Sequence, residues 1–207
     1  MKKILHLDFL ADGKDEEYEF ALAGQKFYVR RAKIARSISR LKKLIFHHSE
    51  DAVALSGVTL IFYYKEKTYL HKWLYRALKE FAESPNFSDG SLVRETLERY
   101  LVLRAINSMT YNFRERRILI FSALARYGAT EVLSGFTKKL IIGDLLYGLR
   151  LGVPILSLSA FHKTAPSLLR TITRTPISWF NPGARAYPRL LPSFRWYFSW
   201  AEVILGG

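Results

Sequence analysis

Residues 117–144 read RILIFSALARYGATEVLSGFTKKLIIGD and indicate the fold class of the whole chain. The run at 118–121 is β-branched and aromatic, which is typical of a buried strand. A turn containing Gly128 follows, and then a short helical segment at 130–133 that Gly135 would end. A second apolar run at 140–142 precedes Gly143 and Asp144. The order strand, loop, helix, strand predicts an α/β fold.

This order matches the first half of a dinucleotide-binding unit, in which the loop and the helix N-terminus face a pyrophosphate. A carboxylate at the end of the second strand, here Asp144, then accepts hydrogen bonds from a ribose. A complete fingerprint places three glycines between strand and helix, whereas this window holds only Gly128. An ordinary α/β packing unit without a ligand therefore stays open as the alternative.

Length and composition limit the class of protein. A chain of 207 residues with 49% hydrophobic residues can build one large core or two small ones. The absence of cysteine excludes disulfides, thiolate metal sites and a cysteine nucleophile. The N-terminus has no apolar signal-peptide core, and no apolar run reaches the roughly 18 residues of a membrane span. We therefore expect a cytoplasmic protein without a membrane span.

The formal net charge of +14 is unevenly distributed. Residues 1–112 contain 19 Lys/Arg and 14 Asp/Glu, and residues 113–207 contain 13 and 4. No carboxylate occurs between 145 and 201, where seven basic residues stand. Such a field attracts the phosphates of a cofactor, a nucleic acid or an anionic lipid, although a generally basic surface is an equally open interpretation.

The remaining pattern predicts alternating strands and helices. Strands are expected at 4–9 and 52–56, and hairpins at 18–30 and 60–70. Helices are expected at 34–45, 73–81, 92–108 and 157–173, the last bent or restarted near Pro166. The prolines of 176–192 predict irregular structure, and 201–205 predicts a third strand for the second half. The polar loop after the 92–108 helix predicts domains at 1–112 and 113–207.

Several local sequences, taken in order, resemble the bacterial family of quinate 5-dehydrogenases, which is related in name to quinate/shikimate dehydrogenases. The resemblance covers most of the chain. It rests on Asp89-Gly90-Ser91 before 96–99, on Ser122-Ala123-Leu124 with Arg126, Tyr127 and Gly128, on Gly143-Asp144-Leu145, and on 201–204.

The resemblance implies an N-terminal α+β or α/β substrate domain followed by a partial Rossmann-like three-layer domain. It implies an oxidoreductase that uses NAD or NADP on an alicyclic hydroxy acid. Ser122, Arg126 and Gly128 would contact the pyrophosphate, and Asp144 the adenosine ribose. Asp89, Ser91 and Arg94 would line the substrate cleft, with Asp89 and Arg94 as the catalytic candidates.

The chain also departs from the family pattern. Ala125 stands where the family has an acid, and the segments 31–34 and 56–59 differ from the family's glycine-bearing turns. Family chains continue past the third strand, so this sequence is expected to be a fragment or a diverged homologue. Its last strand would then lie at a sheet edge, where a second copy could pair with it.

Each candidate residue has a structural alternative. Asp89 could form a local Asx-type turn, and Arg94 could pair with Glu98 one helical turn later. No histidine spacing predicts a metal site, and no catalytic base stands out. The competing class is a non-catalytic nucleic-acid or anion binder that stacks bases on the aromatic residues of 189–200, although such aromatics are more often core.

Overall fold

The computed structural model describes residues 1–57, 61–79, 84–108, 112–149, 151–176 and 194–206. The chain is an α/β protein, as the sequence predicts, and its five-stranded sheet is mixed. It divides into two compact units. The first contains residues 1–61 and 70–92, and the second contains residues 62–69 and 93–207.

The first unit contains a five-stranded sheet in the order β2-β3-β1-β4-β7. Its strands are β1 (Lys2–Asp8), β2 (Glu16–Leu22), β3 (Gln25–Lys33), β4 (Ala52–Ser56) and β7 (Phe87–Ser88). β1 is parallel to β3 and to β4, β4 is parallel to β7, and β2 is antiparallel to β3. Helices α1 (Ile38–Phe46) and α2 (Lys72–Leu78) complete the unit.

Alternation along β1 separates an apolar face from a polar one. Leu5 and Leu7 are fully buried, as are Leu41 of α1 and Leu74 of α2, whereas His6 is only partly buried. Side chains two residues apart on a strand share a face, so His6 and Asp8 lie together on the face opposite the leucines. On β1, the polar side chains of His6 and Asp8 therefore lie on the side of the sheet opposite Leu5 and Leu7.

Both predicted hairpins are confirmed. β2 and β3 are joined by Ala23 and Gly24, which have φ values of 50° and 78°. The second hairpin consists of β5 (Ile61–Tyr64) and β6 (Lys67–Leu70), joined by two further residues with positive φ. Positive φ at both central residues suits a two-residue turn to the twist of the strands.

The second unit contains a parallel sheet in the order β10-β8-β9. Its strands are β8 (Ile118–Ile120), β9 (Leu140–Ile142) and β10 (Val203–Leu205), and its helices are α3 (Ser91–Ser108), α4 (Tyr127–Phe136), α5 (Leu158–Ile172) and α6 (Arg195–Trp200). Ile118 and Ile120 pack into the same core as Phe161 of α5, whereas Leu119 packs with Tyr197 of α6. Helices therefore cover both faces of this sheet.

Several sequence-based boundaries need correction. The sequence predicts a domain boundary at 112/113, whereas the compact units of the structure divide at 92/93, with residues 62–69 also in the second unit. Ile106 of α3 is buried in the core of that second unit. α4 begins three residues before the predicted segment, and α5 runs through Pro166 as one helix. β10 lies at the edge of its sheet, as predicted. The predicted irregular segment 176–192 falls almost entirely outside the described residues.

Candidate functional site

β1 and β4 are neighbouring parallel strands, so their carboxyl ends lie side by side at one end of the first sheet, called its carboxyl edge below. β1 lies between β3 and β4, and the chain leaves β1 toward β3 but leaves β4 toward β7. In open parallel sheets, ligands bind at the carboxyl ends of strands where successive connections run in opposite directions. This edge is therefore the position in the first unit where a ligand site is expected.

A histidine and a serine form a hydrogen bond at this edge. His6 Nε2 lies 2.7 Å from Ser56 Oγ, and Ser56 is the last residue of β4. Burial lowers the pKa of His6, the charge of Arg31 adds to this effect, and the carboxylate of Asp8 opposes it. A neutral imidazole has one ring nitrogen free to accept a proton. His6 can therefore act as a base near neutral pH.

Asp8 supplies a fixed negative charge beside His6. Asp8 is 9% exposed, and its Oδ2 lies 2.5 Å from Arg31 Nη2 while its Oδ1 accepts a 3.2 Å hydrogen bond from the Ala11 amide. Burial raises the pKa of Asp8, but the hydrogen bonds from Arg31 and Ala11 outweigh it, so the pKa lies below its usual value. Asp8 is therefore ionised and favours a positive charge on His6.

Gly57 lets the main chain turn closely over this carboxylate. Its φ is +70°, and a Cβ atom added there would lie 3.0 Å from Asp8 Oδ1 and 3.2 Å from the Leu10 amide nitrogen. A side chain at this position would be strained by the positive φ and crowded by Asp8. Glycine at position 57 therefore allows the main chain after β4 to pass close to the Asp8 carboxylate.

Asp89 lies at the end of the neighbouring strand, β7, and forms the Asx-type turn that the sequence left open. Its Oδ1 accepts hydrogen bonds from the Ser91 amide at 2.8 Å and from Ser91 Oγ at 2.6 Å. Arg94 donates to Glu95 Oε1 at 3.1 Å rather than pairing with Glu98. Both contacts are local, and the catalytic roles of Asp89 and Arg94 stay predictions.

In the second unit, the side chain of Asp144 binds the loop that follows β8, which the sequence predicts to face a pyrophosphate. Its Oδ1 accepts hydrogen bonds from Ser122 Oγ at 2.9 Å and from the Leu124 amide at 3.1 Å, and its Oδ2 accepts one from the Ala123 amide at 2.7 Å. Asp144 is 1% exposed. The carboxylate therefore binds three donors of this loop, and the predicted ribose contact of Asp144 stays a prediction.

Burial raises the pKa of Asp144, and the hydrogen bonds from the Ala123 and Leu124 amides and from Ser122 only partly offset this effect. The structure joins Ser122 and Asp144 by a hydrogen bond, and their predicted contacts with the pyrophosphate and the ribose stay predictions. Two amide donors of this loop, those of Ala123 and Leu124, bind a carboxylate of the protein.

Gly128 and Arg126 contact α3 instead of an open cleft. The Gly128 amide donates to Glu95 Oε2 at 2.5 Å, and Arg126 Nη1 donates to Glu98 Oε1. A Cβ atom added at Gly128 would lie 2.6 Å from the Glu95 carbonyl oxygen. Glu95 is 1% exposed, and burial raises its pKa. Gly128 therefore permits close packing of α3 against α4, and its predicted pyrophosphate contact stays a prediction.

Sequence reasoning missed His6, Ser56 and Glu95. The sequence does place Asp8 and Ser56 at or near the ends of two predicted strands, and polar residues at strand ends are a signal for a site. The parallel pairing of β1 with β4, which aligns Asp8 with Ser56, joins residues far apart in sequence. Local periodicity contains no information on that pairing.

Within the described part of the chain, no group of three or more acidic or histidine side chains is placed to hold a metal ion. None of the described helices combines the length and the apolar character needed to cross a membrane.

Comparisons with known proteins give one match. No curated protein and no solved structure matches the chain. The model of a family described as a domain of unknown function, DUF8754, matches residues 92–207, which is more than half of the chain. The match includes α3 from its second residue and all three strands of the β10-β8-β9 sheet. The chain therefore belongs to the DUF8754 family.

Proposed function

We propose that the first unit binds a small hydroxyl-bearing molecule at the carboxyl edge of its sheet and exchanges a proton with that hydroxyl through His6. The hydrogen bond between His6 and Ser56, with Asp8 beside it, is the observation that carries this proposal. The resemblance to quinate and shikimate dehydrogenases favours hydroxy acids as the ligand class.

The proton transfer follows from the chemistry of the pair. Neutral His6 accepts the proton of Ser56 Oγ, and Ser56 Oγ accepts the proton of the ligand hydroxyl that approaches it. The proton ends on the imidazole, and the negative charge develops on the ligand oxygen. The ionised carboxylate of Asp8 stabilises the imidazolium by Coulomb attraction. The reverse transfer returns the proton.

A nicotinamide cofactor in the second unit is the second candidate. The parallel order β10-β8-β9, with α4 between β8 and β9, favours it because this is the local order of a dinucleotide-binding unit. The loop does not fit the pyrophosphate of the cofactor, because its amides already donate hydrogen bonds to carboxylates of the protein. The amides of Ala123 and Leu124 donate to Asp144, and that of Gly128 donates to Glu95. We therefore base no step of the proposed reaction on NAD or NADP.

Binding of quinate and shikimate, measured by isothermal titration calorimetry, tests the proposal. His6→Gln and Ser56→Ala each remove one partner of the hydrogen bond. Ser56→Ala also removes the hydroxyl that meets the ligand, and loss of a ligand hydrogen bond of about 1.4 kcal/mol corresponds to roughly tenfold in affinity, so this variant should bind roughly tenfold more weakly. His6→Gln removes the base behind that hydroxyl and should weaken binding by a smaller factor. NAD and NADP are titrated separately into the wild-type protein, which tests the second candidate independently.

His47→Gln and Ser49→Ala are matched controls, since His47 and Ser49 are exposed and lie beyond the end of α1. They should leave the affinity unchanged. Equal weakening by the site and control variants, or no binding of either hydroxy acid by the wild-type protein, would contradict the proposal. The imidazole pKa of His6, measured by NMR, should also lie below that of a free histidine.

A further inference from the structure

Helix α5 has one apolar face and one basic face. The apolar face is buried in the core of the second unit and consists of Phe161, Ala165, Leu168, Leu169 and Ile172. The opposite face is exposed and contains Lys163, Arg170 and Arg174, the last lying two residues beyond the helix. We call these three residues the basic row.

The basic row has no carboxylate partner among the described residues. Lys163 and Arg170 are seven residues apart in α5, a spacing that places side chains on one side of a helix and separates them by about 10 Å along its axis. Arg174 follows in the turn after the helix. No carboxylate of the described residues forms an ion pair with any of the three. The sequence from 145 to 201 contains no Asp or Glu that could neutralise them.

A fourth positive charge extends the field at one end of the row. Burial lowers the pKa of His162 of α5, and the charge of Lys65, in the turn between β5 and β6, lowers it further. Tyr64 connects the two elements, since its hydroxyl oxygen lies 3.0 Å from His162 Nδ1 and its ring centroid lies 5.6 Å from Lys65 Nζ. Glu131 is the acid that acts on His162 in the opposite direction, and it is already paired with Arg99.

The structure does not support the aromatic segment as the binding platform. Tyr197, Phe198 and Trp200 pack against Leu119 and other residues on the face of the sheet opposite α5. Only Trp196, at 64% exposure, is a largely exposed large aromatic among the described residues of that segment. The charges on α5 and the aromatics on α6 therefore lie on opposite faces of the sheet and cannot form one surface.

A membrane surface fits α5 less well than a polyanion does. An amphipathic helix that binds a bilayer inserts its apolar face among the acyl chains. The apolar face of α5 is already buried in the protein core. What remains exposed is a row of cations with the hydroxyls of Ser159 and Ser167 beside it, and phosphate contacts in nucleic-acid complexes come from such groups.

We propose that the basic row of α5 binds the sugar–phosphate backbone of nucleic acid without reading its sequence. Three cations that neutralise three phosphates give a defined salt dependence. For a single strand, the slope of the logarithm of the association constant against the logarithm of the salt concentration is about −0.7 for each phosphate neutralised. Three phosphates at the basic row therefore contribute about −2 to this slope.

Fluorescence anisotropy with a labelled oligodeoxythymidylate over a series of salt concentrations tests this proposal. The row variant carries Lys163→Gln, Arg170→Gln and Arg174→Gln. Its slope should be smaller in magnitude by about two than that of the wild-type protein. A second variant, with Arg170→Lys and Arg174→Lys, keeps the charges and should retain the wild-type slope. Circular dichroism checks that each variant is folded.

The control variant carries Lys26→Gln, Lys42→Gln and Lys43→Gln, which removes the same charge from exposed positions of the first unit. It should change the slope much less than the row variant does. Equal changes in the two variants, absence of binding by the wild-type protein, or loss of binding in the charge-conserving variant would overturn the proposal. So would selective loss, in the row variant, of binding to phosphatidylserine vesicles while oligonucleotide binding persists.

Discussion

Gly128 shows how one residue can fit two quite different interpretations. In the sequence it is the only glycine of a loop that resembles a phosphate-binding turn. In the structure its amide binds the Glu95 carboxylate, and its lack of a side chain lets the main chains of α3 and α4 approach. The same glycine therefore serves packing between helices.

Gly128→Ala should destabilise the protein by about 1–3 kcal/mol, the usual cost of overpacking. The added methyl group would lie 2.6 Å from the Glu95 carbonyl oxygen and 2.9 Å from Arg99 Cγ, and the carbonyl cannot move without shifting α3. Gly135→Ala, on the same helix, meets nothing within 4 Å and should stabilise the helix by up to about 1 kcal/mol. Urea unfolding measures both, and similar effects from the two would contradict this account of Gly128.

Asp144 makes the stability of the second unit depend on pH. Burial raises its pKa in the folded state, so the folded protein binds this proton more tightly than the unfolded chain does. The stabilisation is fully present below the unfolded pKa of about 3.9 and is lost as the pH rises through the folded pKa. Asp8, whose pKa is lowered, acts in the opposite direction.

Asp144→Asn removes this titration. The free energy of unfolding of the variant should therefore decrease less than that of the wild-type protein as the pH rises from about 4 toward neutrality. Urea unfolding at a series of pH values measures the difference. Asp12→Asn, at an exposed position of the first unit, is the control variant. A parallel profile for Asp144→Asn would show that Asp144 does not titrate as described.

At the scale of elements, α3 exposes most of its large apolar side chains, whereas α5 buries its own. α3 buries Glu95 and Ile106, while six of its large apolar side chains are at least 40% exposed: Leu92, Val93, Leu97, Tyr100, Leu101 and Leu103. α5 buries its apolar residues and exposes its charges. Apolar content alone therefore does not tell which face of a helix is buried.

Leu169→Ala in α5 should cost about 2–5 kcal/mol of stability, because the side chain is 2% exposed and its removal leaves a cavity. Leu97→Ala in α3 should change the stability by less than about 0.5 kcal/mol, since this side chain is 52% exposed. Chemical unfolding of both variants under the same conditions measures the contrast. A large loss for Leu97→Ala would mean that its face is buried in solution.

The elements that the sequence predicts well are those with a local signal. The strand at 52–56 and both hairpins follow from alternation and turn residues, and the strand at 140–142 from its apolar run. Two elements have no such signal. β7 is only two residues long, and its strand conformation depends on pairing with β4. The π-helical turn Asp144–Gly148 begins at the buried carboxylate, whose contacts are tertiary.

At the scale of the whole molecule, the sequence predicts the α/β class and a domain boundary at 112/113, and the compact units of the structure divide twenty residues earlier, at 92/93. The polar loop after α3 resembles a linker, whereas the contact of Ile106 with the core of the second unit joins α3 to that unit. The site in the first unit depends on parallel pairing between β1 and β4. Such pairing is set by the packing of the complete unit and is not contained in any single stretch.

The carboxylate of Asp144 also acts as a tethered competitor. Because it is attached to the same chain as the Ala123 and Leu124 amides, its effective concentration at these donors is millimolar or higher. A free phosphate compound must displace it, and must then leave a buried aspartate without its hydrogen-bond donors. Phosphorylated metabolites at cellular concentrations should therefore bind poorly to this loop. The loop would then disfavour the phosphate ligands that loops of similar sequence bind.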